Sequence, residues 1–277
     1  MSDVRSLTVT GFKSIRSLCD FKLNPLNVLI GANGAGKSNF IGLFRLLNQM
    51  YEQRLQTYVQ TQGGPDALLH FGRKLTKKIH AEFYFDRNAY KFDLIPTTDN
   101  RLIYEREVSW FGGVYYDTTP SAILGTGHSE SKLKSAKDLY SPFVRRSVEN
   151  WRVYHFHDTS DTALVKQRHA MNDNLILKID AANLAAYLEF LHHRHDHEYS
   201  RIVETIRLVA PFFGDFVHRD DADYVELEWT QAGRPDTPFK AHMLSDGTLR
   251  FICLATLLLQ PTTKWETRGV GIHPRPR

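Results

Sequence analysis

Residues 26–39 read Leu-Asn-Val-Leu-Ile-Gly-Ala-Asn-Gly-Ala-Gly-Lys-Ser-Asn, and no other stretch limits the fold so tightly. The first five are a short apolar run suited to a buried parallel strand. A glycine-rich loop follows. After it, Phe40, Leu43, Phe44, Leu47 and Tyr51 recur at helical spacing, which predicts an amphipathic helix with one apolar stripe. A strand, a glycine loop and a helix in that order form the context in which Gly31, four residues, then Gly36-Lys37-Ser38 has chemical meaning.

That meaning is a phosphate cradle. Successive backbone N–H groups must close around anionic oxygens, and side chains at Gly31, Gly34 and Gly36 would obstruct the approach. A helix beginning near Lys37 points the positive end of its dipole at the same anion. Gly31, Asn33, Gly34, Ala35, Gly36, Lys37, Ser38 and Asn39 are therefore the candidate nucleotide contacts. Within them, Lys37 is placed to neutralise β- and γ-phosphates, and the Ser38 hydroxyl to ligate Mg²⁺. The predicted ligands are a nucleoside triphosphate and Mg²⁺.

Composition sets outer limits. A chain of 277 residues with 42% hydrophobic content can bury one large core or two modest ones. Its formal charge of +4 permits a nucleic-acid partner without demanding one. Cys19 and Cys253 are far apart, which argues against a disulfide framework and for a reducing cytoplasm. The N-terminus lacks a signal-peptide pattern, and the longest apolar run, residues 251–259, is far below the ~20 residues of a membrane span. A soluble cytoplasmic protein with no membrane partner is expected.

Along the chain, residues 7–10 and 21–23 read as short strands around the Gly11-Phe12-Lys13-Ser14 turn. Residues 79–85, 90–95 and 102–110 alternate in polarity and predict an antiparallel meander with one buried face. The serine- and lysine-rich stretch 129–147 reads as a solvated insertion, and residues 151–156 as a returning strand. Helices are expected over 181–193 and 199–209, the second stopped by Pro211, with a hairpin around Gly233 after them. Residues 244–259 combine Leu-Ser-Asp-Gly with a nearly all-apolar helix, for which Ser245 is a natural N-cap.

Three motifs together, Phe12-Lys13-Ser14, the loop 31–39 and Leu244-Ser245-Asp246-Gly247, resemble the RecF/SMC-like branch of ABC-type ATPases. The likeness extends through residues 151–160 to about Gln260. It implies an α/β P-loop NTPase of ABC-ATPase head type, with an antiparallel β subdomain and a helical insertion, over residues 1–260. It implies a homodimer in which ATP is sandwiched between one copy's P-loop and the other copy's Ser245 and Gly247. It also implies work on DNA, in repair, recombination or defence. Phe12 and Lys13 would then approach the base or phosphates.

In that family the signature helix is followed by an apolar strand ending in Asp-Glu. Here Gln260 is followed by Pro261-Thr262-Thr263-Lys264-Trp265-Glu266, and no such strand occurs. Residues 261–277 therefore read as an aberrant basic tail, and the second lobe as incomplete. Nucleotide binding with little or no hydrolysis is expected, and no catalytic residue is assigned. A non-catalytic nucleotide-binding fragment is the alternative reading. His192, His193, His195, Asp196 and His197 suggest either a metal site or a solvated helix end, and their spacing favours the helix end.

Overall fold

The computed structural model describes residues 4–112, 121–149, 151–219 and 222–261, and these divide into two compact units that meet in sequence at Val153 and Tyr154. The first contains strands β1 (Ser6–Phe12), β2 (Ile15–Lys22), β3 (Ile79–Tyr84), β4 (Asn88–Pro96), β5 (Leu102–Phe111) and β6 (Ser121–Gly125). They form one sheet in the order β2-β1-β3-β4-β5-β6, with every neighbouring pair antiparallel. The expected meander is there, with β4 opposite β3 from Ile79–Leu94 to Tyr84–Ala89. Its alternation also holds: Ile79, Ala81 and Phe83 are fully buried on one face.

Against this sheet packs helix α1 (Lys37–Tyr51), which buries Leu43, Leu46, Leu47, Met50 and Tyr51. Phe40 and Phe44 lie at the edge of the same stripe. Phe40 meets Phe21 and Phe44 edge-to-face, and Phe44 joins Phe83 and Trp151 in an aromatic cluster. Such pairs add about 0.5–1.5 kcal/mol each beyond area burial. Trp151 fills this cluster from a segment with no regular structure, so the strand expected over 151–156 does not form.

Three short helices follow α1: α2 (Leu55–Thr61), α3 (Pro65–Leu68) and α4 (Gly72–Leu75). The stretch read as a solvated insertion proves to be built into this unit. Within it Ser131, Leu133, Ser141, Val144 and Ser147 are buried, the last three on helix α5 (Ser141–Val148). The cause is two carboxylates. Glu130 accepts from the N–H groups of Leu55 and Gln56 at 2.8 and 3.0 Å, holding the start of α2. Glu107, on β5 and wholly buried, accepts from Tyr90 Oη and Ser131 Oγ at 2.5 Å each and from the Lys132 N–H at 2.9 Å. A polar composition thus satisfies a buried acid instead of facing water.

Residues 26–30 also depart from expectation. They form no strand and pair with none among the described residues. Leu26, Val28, Leu29 and Ile30 are exposed. Local pattern favours a strand here, but a strand exists only where a neighbour completes its hydrogen bonds.

The second unit holds β7 (His169–Ala170), α6 (Leu184–Arg194), α7 (Asp196–Val209), β8 (Phe213–Phe216), β9 (Tyr224–Val225), β10 (Glu228–Gln231), β11 (Arg234–Lys240) and α8 (Asp246–Leu259). Its sheets are β11-β10-β8 and the short pair β7-β9, all antiparallel, so no parallel strand pair occurs among the described residues. Leu184, Tyr187, Leu188 and Leu191 of α6 share a core with Ile202 and Ile206 of α7 and Ile252 of α8. Fully buried Asn183 orders the approach to α6: its amide donates to the Asp173 and Ile176 carbonyls and accepts from the Lys178 N–H. The α7 stop before Pro211 is as the sequence predicts.

Cys253 is buried, which pushes its thiol up to about 12, and Cys19 is exposed; both are free. No helix among the described residues is long and apolar enough to cross a membrane. The tail beyond residue 261, with Glu266, lies outside the described residues.

Candidate phosphate-binding site

The loop between residues 31 and 36 turns on two left-handed glycines, Gly34 at φ 85° and Gly36 at φ 88°. A β-carbon would strain either one. At Gly36 it would also stand 3.0 Å from Ser14 Oγ. Gly36 is the residue from which α1 starts, and no side chain caps that helix. The N–H groups of its first turn therefore face outward without intrahelical partners, together with the positive end of the dipole. Ala35 N–H bonds back to the Ala32 carbonyl at 3.2 Å, which closes the loop.

Lys37, at the first helical position, folds its Nζ over this loop and donates to the carbonyls of Gly31 and Ala32, each at 2.7 Å. Ser38 follows with an exposed side chain. Asn39 donates its amide to Ser14 Oγ at 2.8 Å. The structure thus gathers Gly31, Asn33, Gly34, Ala35, Gly36, Lys37, Ser38 and Asn39 at one loop–helix junction. These residues fit a polyphosphate: a glycine cradle, open amides and one ammonium. For Mg²⁺ they offer the Ser38 hydroxyl, but among the described residues no Asp or Glu pairs with Lys37 or Ser38.

The turn before β2 contributes differently from what its residues suggest. Phe12 is fully buried in the sheet core, so its ring is not presented to a base. Lys13 directs its Nζ to Gln62 Oε1 at 2.9 Å and lies over the Phe12 ring. Its own backbone is left-handed, at φ 48°. Ser14 is the member of the trio that reaches the loop, through Asn39 and behind Gly36. Its place in the same three-residue turn was the one available signal, and nothing in its residue type marked it.

In the second unit Ser245 caps α8, accepting from the Thr248 N–H at 3.2 Å, with Asp246 in the first turn. Gly247 lies in that first turn, where its missing side chain leaves the helix start accessible. Arg250 donates to the His157 carbonyl at 2.8 Å and to Thr159 Oγ1 at 3.2 Å, which ties segment 157–159 to α8. The candidate signature contacts are therefore an ordinary, well-formed N-cap, with the amide display any such cap offers.

The histidines of α6 do not build a metal centre. Among the described residues no group of three or more His, Cys, Asp or Glu side chains is arranged to hold an ion. Instead His192 stacks on His218 with centroids 3.9 Å apart and planes 4° from parallel. Glu189 accepts from His218 at 2.7 Å and His193 at 3.0 Å, and His218 also meets Tyr199 Oη, which donates to Asp215. Burial first, then the charges of His218 and His193, hold His192 below the usual histidine value. Burial pushes Glu189 up, but hydrogen bonds from His218 and His193 outweigh it and leave it below the carboxylate range.

The signs agree. The unfolded chain takes up a proton at His192 below about pH 6.5 more readily than the folded one, so acid favours unfolding there. The contribution from Glu189 is complete above its unfolded value of about 4.5 and is lost as pH falls below it. The melting temperature should fall less, or rise more, between pH 7.5 and pH 5.5 in His192→Phe than in the unaltered chain. Identical pH dependence of the two proteins would show that the stack is not titrating.

Residues 26–264 match the family model described as AAA domain, putative AbiEii toxin, Type IV TA system. No curated protein matches the chain. The matched region takes in the whole loop–helix junction and the Ser245 cap and covers most of the sequence. The chain belongs to this family of AAA-domain P-loop ATPases.

Proposed function

We propose that the chain binds ATP with Mg²⁺ at the 31–39 junction. Two copies then close around the nucleotide, each offering Ser245 and the Gly247 N–H to its neighbour's γ-phosphate. The single observation that carries the binding reading is the uncapped start of α1 beneath two left-handed glycines, with Lys37 folded over the loop. Lys37 supplies charge, Ser38 a hydroxyl for the ion, and the backbone of residues 33–38 the amide cradle. Bound Mg²⁺ would bridge phosphate oxygens and offset their charge.

Hydrolysis needs a positioned water and completed ion coordination as well. No carboxylate among the described residues serves the junction, so turnover close to background is the reading that fits. A clamp of this kind, opened and closed by nucleotide, suits DNA repair, recombination or defence, and the family's description as a putative toxin system favours defence. A nucleotide-binding module without catalysis is the second reading, favoured by the same missing carboxylate.

Titration calorimetry with MgATP tests the binding. One nucleotide per chain is expected, and Lys37→Ala should weaken it about tenfold to a hundredfold, the range for a lost charge-assisted contact. Unchanged affinity in Lys37→Ala would overturn the site. Light scattering with and without MgATP tests the clamp: Ser245→Arg should block nucleotide-dependent dimerisation while sparing binding. Phosphate release that depends on Lys37 would overturn the low-turnover reading.

A further inference from the structure

Phe71 stands in a backbone conformation that its side chain disfavours. Its φ is 56° and ψ 25°, left-handed, and it is 78% exposed. A bulky residue there is a true outlier. The conformation is enforced from both sides. The His70 N–H bonds to the Gly11 carbonyl at 3.0 Å, and His70 Nδ1 meets the Lys13 carbonyl at 2.7 Å. Thr76 Oγ1 donates to the His70 carbonyl at 2.5 Å, and the Arg73 N–H donates to Asp66 Oδ1 at 2.7 Å. Glycine would meet the same backbone demand without strain. An exposed ring adds little to the core, so folding alone gives no reason for phenylalanine here.

The surroundings are cationic. Arg73, Lys74, Lys77 and Lys78 follow within eight residues, and no Asp or Glu occurs from residue 67 to 81. Arg73 is engaged by Asp66, and Lys78 by Glu105 and Asp93. Lys74 and Lys77 are both exposed and enter no ion pair among the described residues, although the Asp66 carboxylate that holds Arg73 lies within electrostatic reach of Lys74. The His70 ring braces Phe71 at 4.4 Å. We infer that the 70–77 turn is a docking surface for single-stranded nucleic acid. A base stacks on the Phe71 ring, and Lys74 and Lys77 contact the adjoining phosphates. A flat aromatic face set among ammonium groups is what sequence-tolerant strand binding uses.

The inference stands on its own residues and does not depend on nucleotide at the 31–39 junction. Fluorescence anisotropy with a labelled oligothymidylate of about a dozen nucleotides, without ATP and at low salt, tests it. Phe71→Gly should weaken binding about tenfold to a hundredfold, while holding or raising the melting temperature, because the glycine relieves the backbone. Phe71→Trp should preserve binding. The double variant Lys74→Glu, Lys77→Glu should weaken binding to all sequences and lower the salt slope by about 1.5. Absence of binding by the unaltered chain would overturn the inference, as would undiminished binding by Phe71→Gly. Competition by polyglutamate that depends on Phe71 would show an acidic polypeptide surface, and would overturn it too.

Discussion

Glu107→Ala is expected to cost about 3 kcal/mol or more of stability, because three donors lose their shared acceptor at about 1–3 kcal/mol for each buried group left unsatisfied. The carboxylate accepts three hydrogen bonds, from Tyr90, Ser131 and the Lys132 backbone, and its side chain is wholly inaccessible. Alanine leaves all three donors without water to turn to, and opens a void beside the Tyr90 and Tyr104 rings. Each unmade bond to a buried group adds to the loss. Tyr90 is pushed far above its ordinary range by burial and by this same carboxylate, so it stays a neutral donor. A drop in melting temperature on the order of 10 °C should follow for a unit of this size. Glu107→Gln, which keeps an acceptor in place, should lose less. Calorimetry of the three proteins decides the matter; a loss below about 1 kcal/mol for Glu107→Ala would mean the network is ornamental.

The second large effect concerns residues 26–30. Leu26, Val28 and Ile30 are 77%, 72% and 91% exposed, on a segment that pairs with no strand among the described residues. Covering one such side chain is worth about 1.5–3 kcal/mol. Three per chain give a driving force of roughly 5 kcal/mol or more, equivalent to several decades in an association constant. Concentration-dependent self-association is the expected behaviour. Val28→Lys with Ile30→Lys should suppress it, since charge placed within an exposed apolar segment is the usual protection against association. Neither side chain belongs to the core of the first unit, so its folding should be spared. Sedimentation velocity over a concentration series measures both proteins, and identical profiles would refute the assignment.

What could be read from residue order alone divides along physical lines. The β3–β5 meander was legible because Ile79, Ala81 and Phe83 alternate with polar neighbours, and alternation is set locally by the pleat. Helix α1 was legible for the matching reason, although Leu46 and Met50 joined the buried stripe and Phe40 and Phe44 slid to its rim. The phosphate loop was legible through glycine, whose left-handed angles at 34 and 36 few other residues tolerate. Failures came where the outcome depends on a distant neighbour. Residues 26–30 have strand composition but no ladder. Residues 129–147 have a solvated composition yet surround Glu107, an acid on a strand some 20–40 positions earlier in the chain. Ser14 gave no sign of touching Asn39 until the hairpin placed it there.

The grip of Lys37 on its own loop sets a threshold for what can settle there. Two carbonyl oxygens at 2.7 Å already satisfy much of the ammonium's demand. A weak, singly charged visitor such as acetate would exchange those contacts for others of similar worth and gain little. Clustered phosphate oxygens, which also recruit the amides at the head of α1, can win the exchange outright. Discrimination between metabolite anions would then arise from competition inside the protein, before any contact with sugar or base is made.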